Sequence, residues 1–294
     1  MNPFSRPILL ASFGFHIALV ACQSHTKPVV VVRAKPAVAV EAPAPAELLD
    51  SAQAFETPAT IRPEAFITKA GPPVTDITGF LAVNNLAEMW QATVLEGFYG
   101  AEHRHIAFVF DRVQPDTLPN TFRVQGRSRF RKIITPFEGT FTVSRVKYLK
   151  AFLDLDSPAV ARARAYAVTA QFVLREDSTA RNAGTYQGTT LLDFYRLASG
   201  ELQLLQSVSP PDKDLPARGA GQLFRGQWQS HHTGRRHTVN FAIFSQAVVP
   251  DAMADLFLGD RGETINPKYA NLGWSEAWEN TEWWAKSPTP KLSL

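Results

Sequence analysis

Four arginines, Arg123, Arg127, Arg129 and Arg131, recur at even spacing through the segment Phe122 to Arg131. A strand has a side-chain period of two, so it puts these arginines and Gln125 on one face and Phe122, Val124, Gly126, Ser128 and Phe130 on the other. A guanidinium presents a planar fork of donors, so such a row can grip lipid phosphates, acidic glycans or a partner's carboxylates. The same row also serves as a solvated outer face that discourages edge pairing. A second concentration is aromatic. Trp274, Trp278, Trp283 and Trp284 are four of the chain's 6 tryptophans. Indole offers a broad apolar face and one donor, suited to stacking on sugar rings, covering a hydrophobic ligand, or docking a terminal segment on the body.

Other reactive side chains are scattered. His103 and His105 stand at i and i+2, and His231, His232 and His237 border a turn at Thr233-Gly234. Zinc needs three or four ligands with an ordered surround, and no spacing brings the two histidine groups together, so no metal is assigned. Glu96, Asp111, Glu138 and Asp193 fall in or beside strand-like segments, where a facing pair can do acid and base work. Asp251, Asp255, Asp260 and Glu263 lack the spacing of a calcium loop. Gly-x-Ser-x-Gly, His-Glu-x-x-His, the P-loop and the dinucleotide fingerprint are absent. No catalytic residue and no cofactor is therefore assigned, and a hydrolase-type enzyme ranks third among the functional readings.

The chain has 294 residues, 1 cysteine, 45% hydrophobic and 19% charged residues and a formal net charge of +3. One cysteine excludes an internal disulfide and a cysteine zinc cluster. The content of phenylalanine and tryptophan supports a packed core and argues against wholesale disorder. A charge so close to balance gives no whole-molecule attraction to nucleic acid, which is not expected as a partner.

Position makes the cysteine informative. Arg6 precedes a largely apolar run from Ile8 to Ala21, of signal-peptide length and too short to span a bilayer. The run ends Leu19-Val20-Ala21-Cys22, which resembles the lipobox of bacterial lipoproteins. That resemblance implies cleavage before Cys22 and acylation of its thiol and new amino terminus, a membrane anchor needing no transmembrane helix. Gln23 follows in place of an aspartate, which by the same resemblance implies outer-membrane sorting, and the absence of Asp and Glu between Ser24 and Lys27 favours a periplasm-facing protein. Residues 22–64 are rich in Pro, Ala and Val, as in the run from Lys35 to Pro45. Polyproline geometry makes this a tether with a reach on the order of 100 Å.

Residues 65–249 read as an all-β body. His105–Phe110, Thr121–Val124, Gly139–Val143, Tyr166–Leu174 and His237–Phe244 are rich in β-branched and aromatic residues and largely alternate. With Trp90–Tyr99, Thr185–Arg196, Glu201–Val208 and Gln222–Gln229 they make about nine strands. Short turns between them predict an antiparallel meander forming a barrel, with a β-sandwich or two small β domains as alternatives. An aromatic-x-Gly triplet ends at Gly100, Gly139, Gly188 and Gly226, and again at Gly259. Glycines within strands permit the bends that closure requires.

Strand number and meander order resemble the lipocalin or calycin class, and Gly226-Gln227-Trp228 matches its Gly-x-Trp, although on a late strand rather than the first. The resemblance implies the architecture only. Phe137-Glu138-Gly139, Asn266–Tyr269 and Gly273-Trp274 also resemble segments of uncharacterised secreted bacterial proteins, a kinship that implies no activity.

The expected organisation is a signal peptide over 1–21, the acylated tether over 22–64, the body over 65–249, and a Trp-rich segment over 250–294 packed on it. The first functional expectation is non-catalytic binding of an apolar or amphipathic ligand, or a glycan, inside the barrel and under the tryptophans. The second is a structural or interaction lipoprotein with a filled barrel, whose arginine face meets another envelope protein.

Overall fold

The computed structural model describes residues 70–91, 94–150, 163–207, 211–259, 264–277 and 283–284, all within the compact unit Glu56–Leu294. The signal segment, Cys22, the 22–64 tether and Trp278 lie outside these residues. The chain runs β1 (Ala70–Pro73), α1 (Ile77–Val83), α2 (Ala87–Trp90), β2 (Leu95–Tyr99), β3 (Arg104–Pro115), β4 (Thr121–Phe130), β5 (Ile133–Leu149), β6 (Arg164–Glu176), β7 (Gly184–Arg196), β8 (Leu202–Leu204), β9 (Gln222–Ser230), β10 (Arg236–Ala242), β11 (Phe257–Leu258) and β12 (Thr264–Ile265). Short 3₁₀ turns fill much of the segment after β10.

The chain is mostly β, and its large sheet is antiparallel. Consecutive long strands are neighbours, and β10 returns to pair with β2, Phe241 opposite Gly97. The strands β2, β3, β4, β5, β6, β7, β9 and β10 therefore follow one another around a ring. β5 and β7 are long enough to overhang it. β1 pairs with the end of β5 at Leu149 and Lys147, and β8 with the end of β7 at Phe194 to Arg196.

Curvature requires the strands to approach closely at certain points. Gly188 on β7 lies opposite Gly226 on β9. A Cβ at Gly188 would stand 2.1 Å from the Arg225 carbonyl oxygen, and one at Gly226 2.1 Å from that of Gln187, so neither position accepts a side chain. Two of the recurring triplets therefore end at one point of contact, on neighbouring strands. Gly100 differs, since it lies in the turn after β2 with φ +71.

Inward positions of all eight strands form one apolar cluster. Phe108 stacks on Phe241 at 3.9 Å between ring centroids, Phe241 on Phe224 at 4.5 Å, and Phe172 meets Phe224 edge-on at 5.5 Å. These rings fill the interior. At one end, the segment containing α1 and α2 adds Phe80, beside Tyr166, and the fully buried Trp90, beside Phe122 and Phe141. The Asp76 side chain accepts from the Gly79 amide at 2.8 Å and starts α1. At the other end stands Glu176, described below.

Three details differ from the sequence expectation. Of the strand expected over Glu201–Val208, only Leu202–Leu204 is formed among the described residues. The segment expected as a strand from Trp90 is divided, because Ala87–Trp90 is helical and carries Trp90 into the core, and β2 begins only at Leu95. Arg131 is not on the arginine face. β4 ends at Phe130, and Arg131 and Lys132, with φ of 49° and 67°, form the two-residue turn into β5.

Candidate functional site

The outer face of the sheet carries a groove of about 890 Å³, within the usual range for small-molecule sites. Strand register maps its floor. One row runs Arg145, Thr169, Leu191, Leu223 across β5, β6, β7 and β9. The next runs Gln171, Thr189, Arg225, Asn240 across β6, β7, β9 and β10, and a third runs Val173, Gln187, Gln227, Thr238. These positions alternate with the inward residues Phe172, Thr190, Phe224 and Phe241, so the ring's core and the groove's floor are two faces of the same strands.

The floor is graded. At the Leu191 end it is apolar; there Leu191 is partly exposed, whereas Leu223, Ala167, Pro216 and Val248 are buried. At the opposite end amides and hydroxyls predominate, with Val173 and Phe98 among them, and Arg225 stands between the two ends. A bulge between Val143 and Arg145 resets β5, and Arg145 lines the groove. Val248, Val249, Pro250 and Asp251, in the segment after β10, also line it. Four cations, Arg145, Lys147, Arg218 and Arg225, face one carboxylate, Asp251, among the lining residues. Burial, then the nearby Arg218 charge, holds the Arg225 guanidinium below its ordinary value. Burial also lowers Arg218, and Asp251 opposes that shift.

Asp193 lies one row beyond, opposite Ala167, with no exposed surface. Its Oδ2 accepts from the Ala217 amide at 2.7 Å, and its Oδ1 has no protein partner. Burial, against the pull of that hydrogen bond, raises the carboxyl to about 8. The loop this bond holds carries Arg218 to the groove, with φ +53.

A second polar cluster is internal. Glu176 accepts at Oε2 from the Gly184 amide at 2.8 Å and Trp228 Nε1 at 3.0 Å, and at Oε1 from the Tyr186 hydroxyl at 3.2 Å and Ser128 at 3.4 Å. Burial, then the Glu176 charge, pushes the Tyr186 and Tyr99 phenols up, so Tyr186 remains a donor. Four donors satisfy this carboxylate and tie β4, β7 and β9 to β6. Ser128 is 2% exposed, so the cluster presents no accessible nucleophile.

The arginine face is present and largely engaged within the chain. Arg123 bonds Asp116 at 2.7 Å, which pulls that carboxyl down to about 2. Arg127 pairs with Asp111 and reaches the Trp284 carbonyl. Arg129 lies 5.3 Å from the Trp283 ring centroid, and Arg131 over Phe130. The arginine stripe and the last tryptophan pair thus meet. Trp274 is fully buried, donates to the His103 carbonyl at 3.0 Å and packs on Phe98 and His105. It belongs to a second apolar cluster that covers the outer face of β2, β9 and β10 beside the groove.

His105 pairs with Glu96, and His103 occupies the turn before β3 with φ +53. His231 bonds Thr185 and His232 the Ala180 carbonyl. Among the described residues no three of His, Cys, Asp and Glu gather as a metal site.

Sequence reasoning named His103, Asp251 and the glycines Gly100, Gly188 and Gly226 for other reasons, but gathered no site from the groove's lining. One signal was available: outward positions of β6, β7, β9 and β10 carry Gln, Thr and Asn where a solvated face usually carries Lys and Glu. Compared with known proteins, the chain matches no family model, no curated protein and no solved structure.

Proposed function

We propose that this protein is a non-catalytic binding module for a small amphipathic molecule, held on the outer wall of a closed β-barrel. The observation that carries the reading is the groove itself: a floor of amides and hydroxyls around Arg225, bordered by the half-buried apolar side chains Leu191, Val173 and Val249. A ligand with an apolar body and a polar head matches a floor that offers both kinds of contact. Aromatic rings fill the interior, which supports placing the ligand on the wall rather than in the lumen. The lipobox-like Leu19 to Cys22 supports attachment to the membrane by acylation, and Gln23 supports outer-membrane placement facing the periplasm. Such a tether would keep the groove near a supply of amphipaths. Cys22→Ser is expected to abolish fatty-acid labelling of the protein.

Native mass spectrometry of protein extracted from its own membrane tests the binding reading. An adduct is expected on the unaltered protein and is expected to vanish in Thr189→Trp, which fills the floor from an outward position without entering the core. An adduct that survives this substitution, or none on the unaltered protein, overturns the proposal.

A second reading has its own observation. Ile133 and Ile134 are 65% and 43% exposed beside Arg131 and Lys132 at the β4–β5 hairpin. An apolar tip flanked by cations suits contact with another envelope component. Crosslinking from residue 133 would then recover one dominant partner, and diffuse labelling would dismiss it.

A further inference from the structure

Independently of the groove, we propose that the end of the ring bearing the β4–β5 hairpin docks on an anionic lipid surface, with Ile133 and Ile134 entering the headgroup layer and arginines of the neighbouring turns on lipid phosphates. This rests on the contact reading of the hairpin tip and names the partner as a bilayer. The first support is the distribution of charge. Hairpins join β2 to β3, β4 to β5, β6 to β7 and β9 to β10. Because neighbouring strands are antiparallel, all these turns gather at one end of the ring. Arg131, Arg181, Arg235 and Arg236 stand in or beside them, and each is exposed. Arg131 lies over Phe130, a contact that leaves its charge in place.

The carboxylates at this end are occupied. Glu102 pairs with Arg104 at 2.6 Å, Asp177 accepts from the Thr179 amide at 2.9 Å, and Glu176 lies beneath the turns, 6% exposed, within its own set of donors. The arginines come from separate hairpins set around a circumference. A plane of phosphates meets such a ring all the way round, whereas a compact acidic patch on one protein would reach only part of it.

The second support is the shape of the hairpin. Pairing of β5 with β6 begins at Phe137, opposite Glu176, the last residue of β6. Ile133 to Pro136 therefore extend past that strand and pair with β4 alone. Adjacent residues of a strand face opposite sides, and Ile133 and Ile134 are both exposed, so neither side of the projection is packed away. Arg129, opposite Ile134, carries the Trp283 ring at 5.3 Å, which sets an indole beside the base of the projection. Aliphatic side chains at the tip, with an indole and guanidinium groups behind them, follow the order by depth that a bilayer interface favours.

The test uses the full chain carrying Cys22→Ser, so that a cysteine introduced by Ile134→Cys is the only thiol and takes the polarity-sensitive dye NBD. Whatever the amino-terminal segment contributes to attachment, the dye reports its own surroundings. Vesicles of phosphatidylcholine with phosphatidylglycerol are expected to shift its emission to the blue and to quench it when they carry doxyl-labelled lipid, and phosphatidylcholine alone is expected to do neither. The same dye at Leu118→Cys, an exposed position in the β3–β4 turn at the opposite end of the ring, is expected to stay in water. Arg131→Gln, and separately Arg235→Gln with Arg236→Gln, are expected to raise the lipid concentration for half the shift, the double variant at least about tenfold. The two sets lie in different hairpins, so a folding defect in one leaves the other to decide. No shift at 134, an equal shift at 118, or an equal shift with phosphatidylcholine alone overturns the bilayer as partner. Crosslinking from residue 133 that then recovers one dominant protein leaves the contact reading standing, and failure of that as well overturns both.

Discussion

Burial raises the Asp193 carboxyl to about 8, whereas in an unfolded chain it titrates near 4. The folded protein therefore holds a proton that the unfolded chain has released between roughly pH 4 and pH 8. A raised carboxylate contributes stability that is complete below the unfolded value and is lost as pH rises through the folded one. The unfolding midpoint is expected to fall between pH 5 and pH 8.5, and Asp193→Asn, neutral throughout, is expected to flatten that slope. Thermal melts followed by circular dichroism at the two pH values check this, and a wild-type protein that gains stability across the interval would refute it. Asp193 stood among four carboxylates with nothing in the sequence to rank them, because burial beneath the Ala217 loop depends on packing rather than spacing. Glu176 was not singled out at all. Its donors lie from 8 to 52 residues away along the chain, and only the ring assembles them.

At the scale of elements, the β4–β5 hairpin breaks a local rule. A two-residue turn with positive φ at both positions favours Asn-Gly, and Arg131 and Lys132 occupy it instead. A left-handed conformation costs an ordinary residue about 1–2 kcal/mol. Replacing both with Asn-Gly is expected to raise stability by on the order of 1–2 kcal/mol, read from denaturant midpoints. An unchanged or lowered midpoint would show that the native pair compensates locally, as the stack of Arg131 on Phe130 would allow. The same substitution explains why the sequence ran β4 one residue too far. With no Gly, Asn, Asp or Pro at the turn, the alternation from Phe122 continues unbroken to Arg131, and only pairing of Phe130 with Ile133 reveals where the chain reverses. The faces of β4 were legible, since a period of two needs no knowledge of the partner strands. The helical turn at Ala87–Trp90 was not, because four residues carry no period and Trp90 suits a strand equally well.

For the whole molecule, the all-β class and the meander order were legible from short turns and recurring strand patterns. The phenylalanine content pointed to a packed core, but not to an interior filled by Phe108, Phe110, Phe122, Phe172 and Phe241, all of which are buried. The groove was hidden for a physical reason. Its floor unites residues from Arg145 to Asn240, and each contributes only a single outward position that looks like ordinary surface until the strands lie side by side.

Beyond the ring, β1 on β5 and β8 on β7 present strand edges, and β1 guards its own. Its sequence is Ala-Gly-Pro-Pro, and β1 is the last strand in the order of the large sheet. Pro72 and Pro73 have no amide hydrogen to offer an incoming chain, so pairing stops there. Under the proposed lipid anchoring, which would concentrate the protein on a two-dimensional surface, that refusal would limit head-to-head polymerisation. Replacing Pro72 and Pro73 by valine is expected to produce concentration-dependent oligomers in size-exclusion chromatography with light scattering, and a variant that stays monomeric at the highest concentration would show that the edge is guarded by something else.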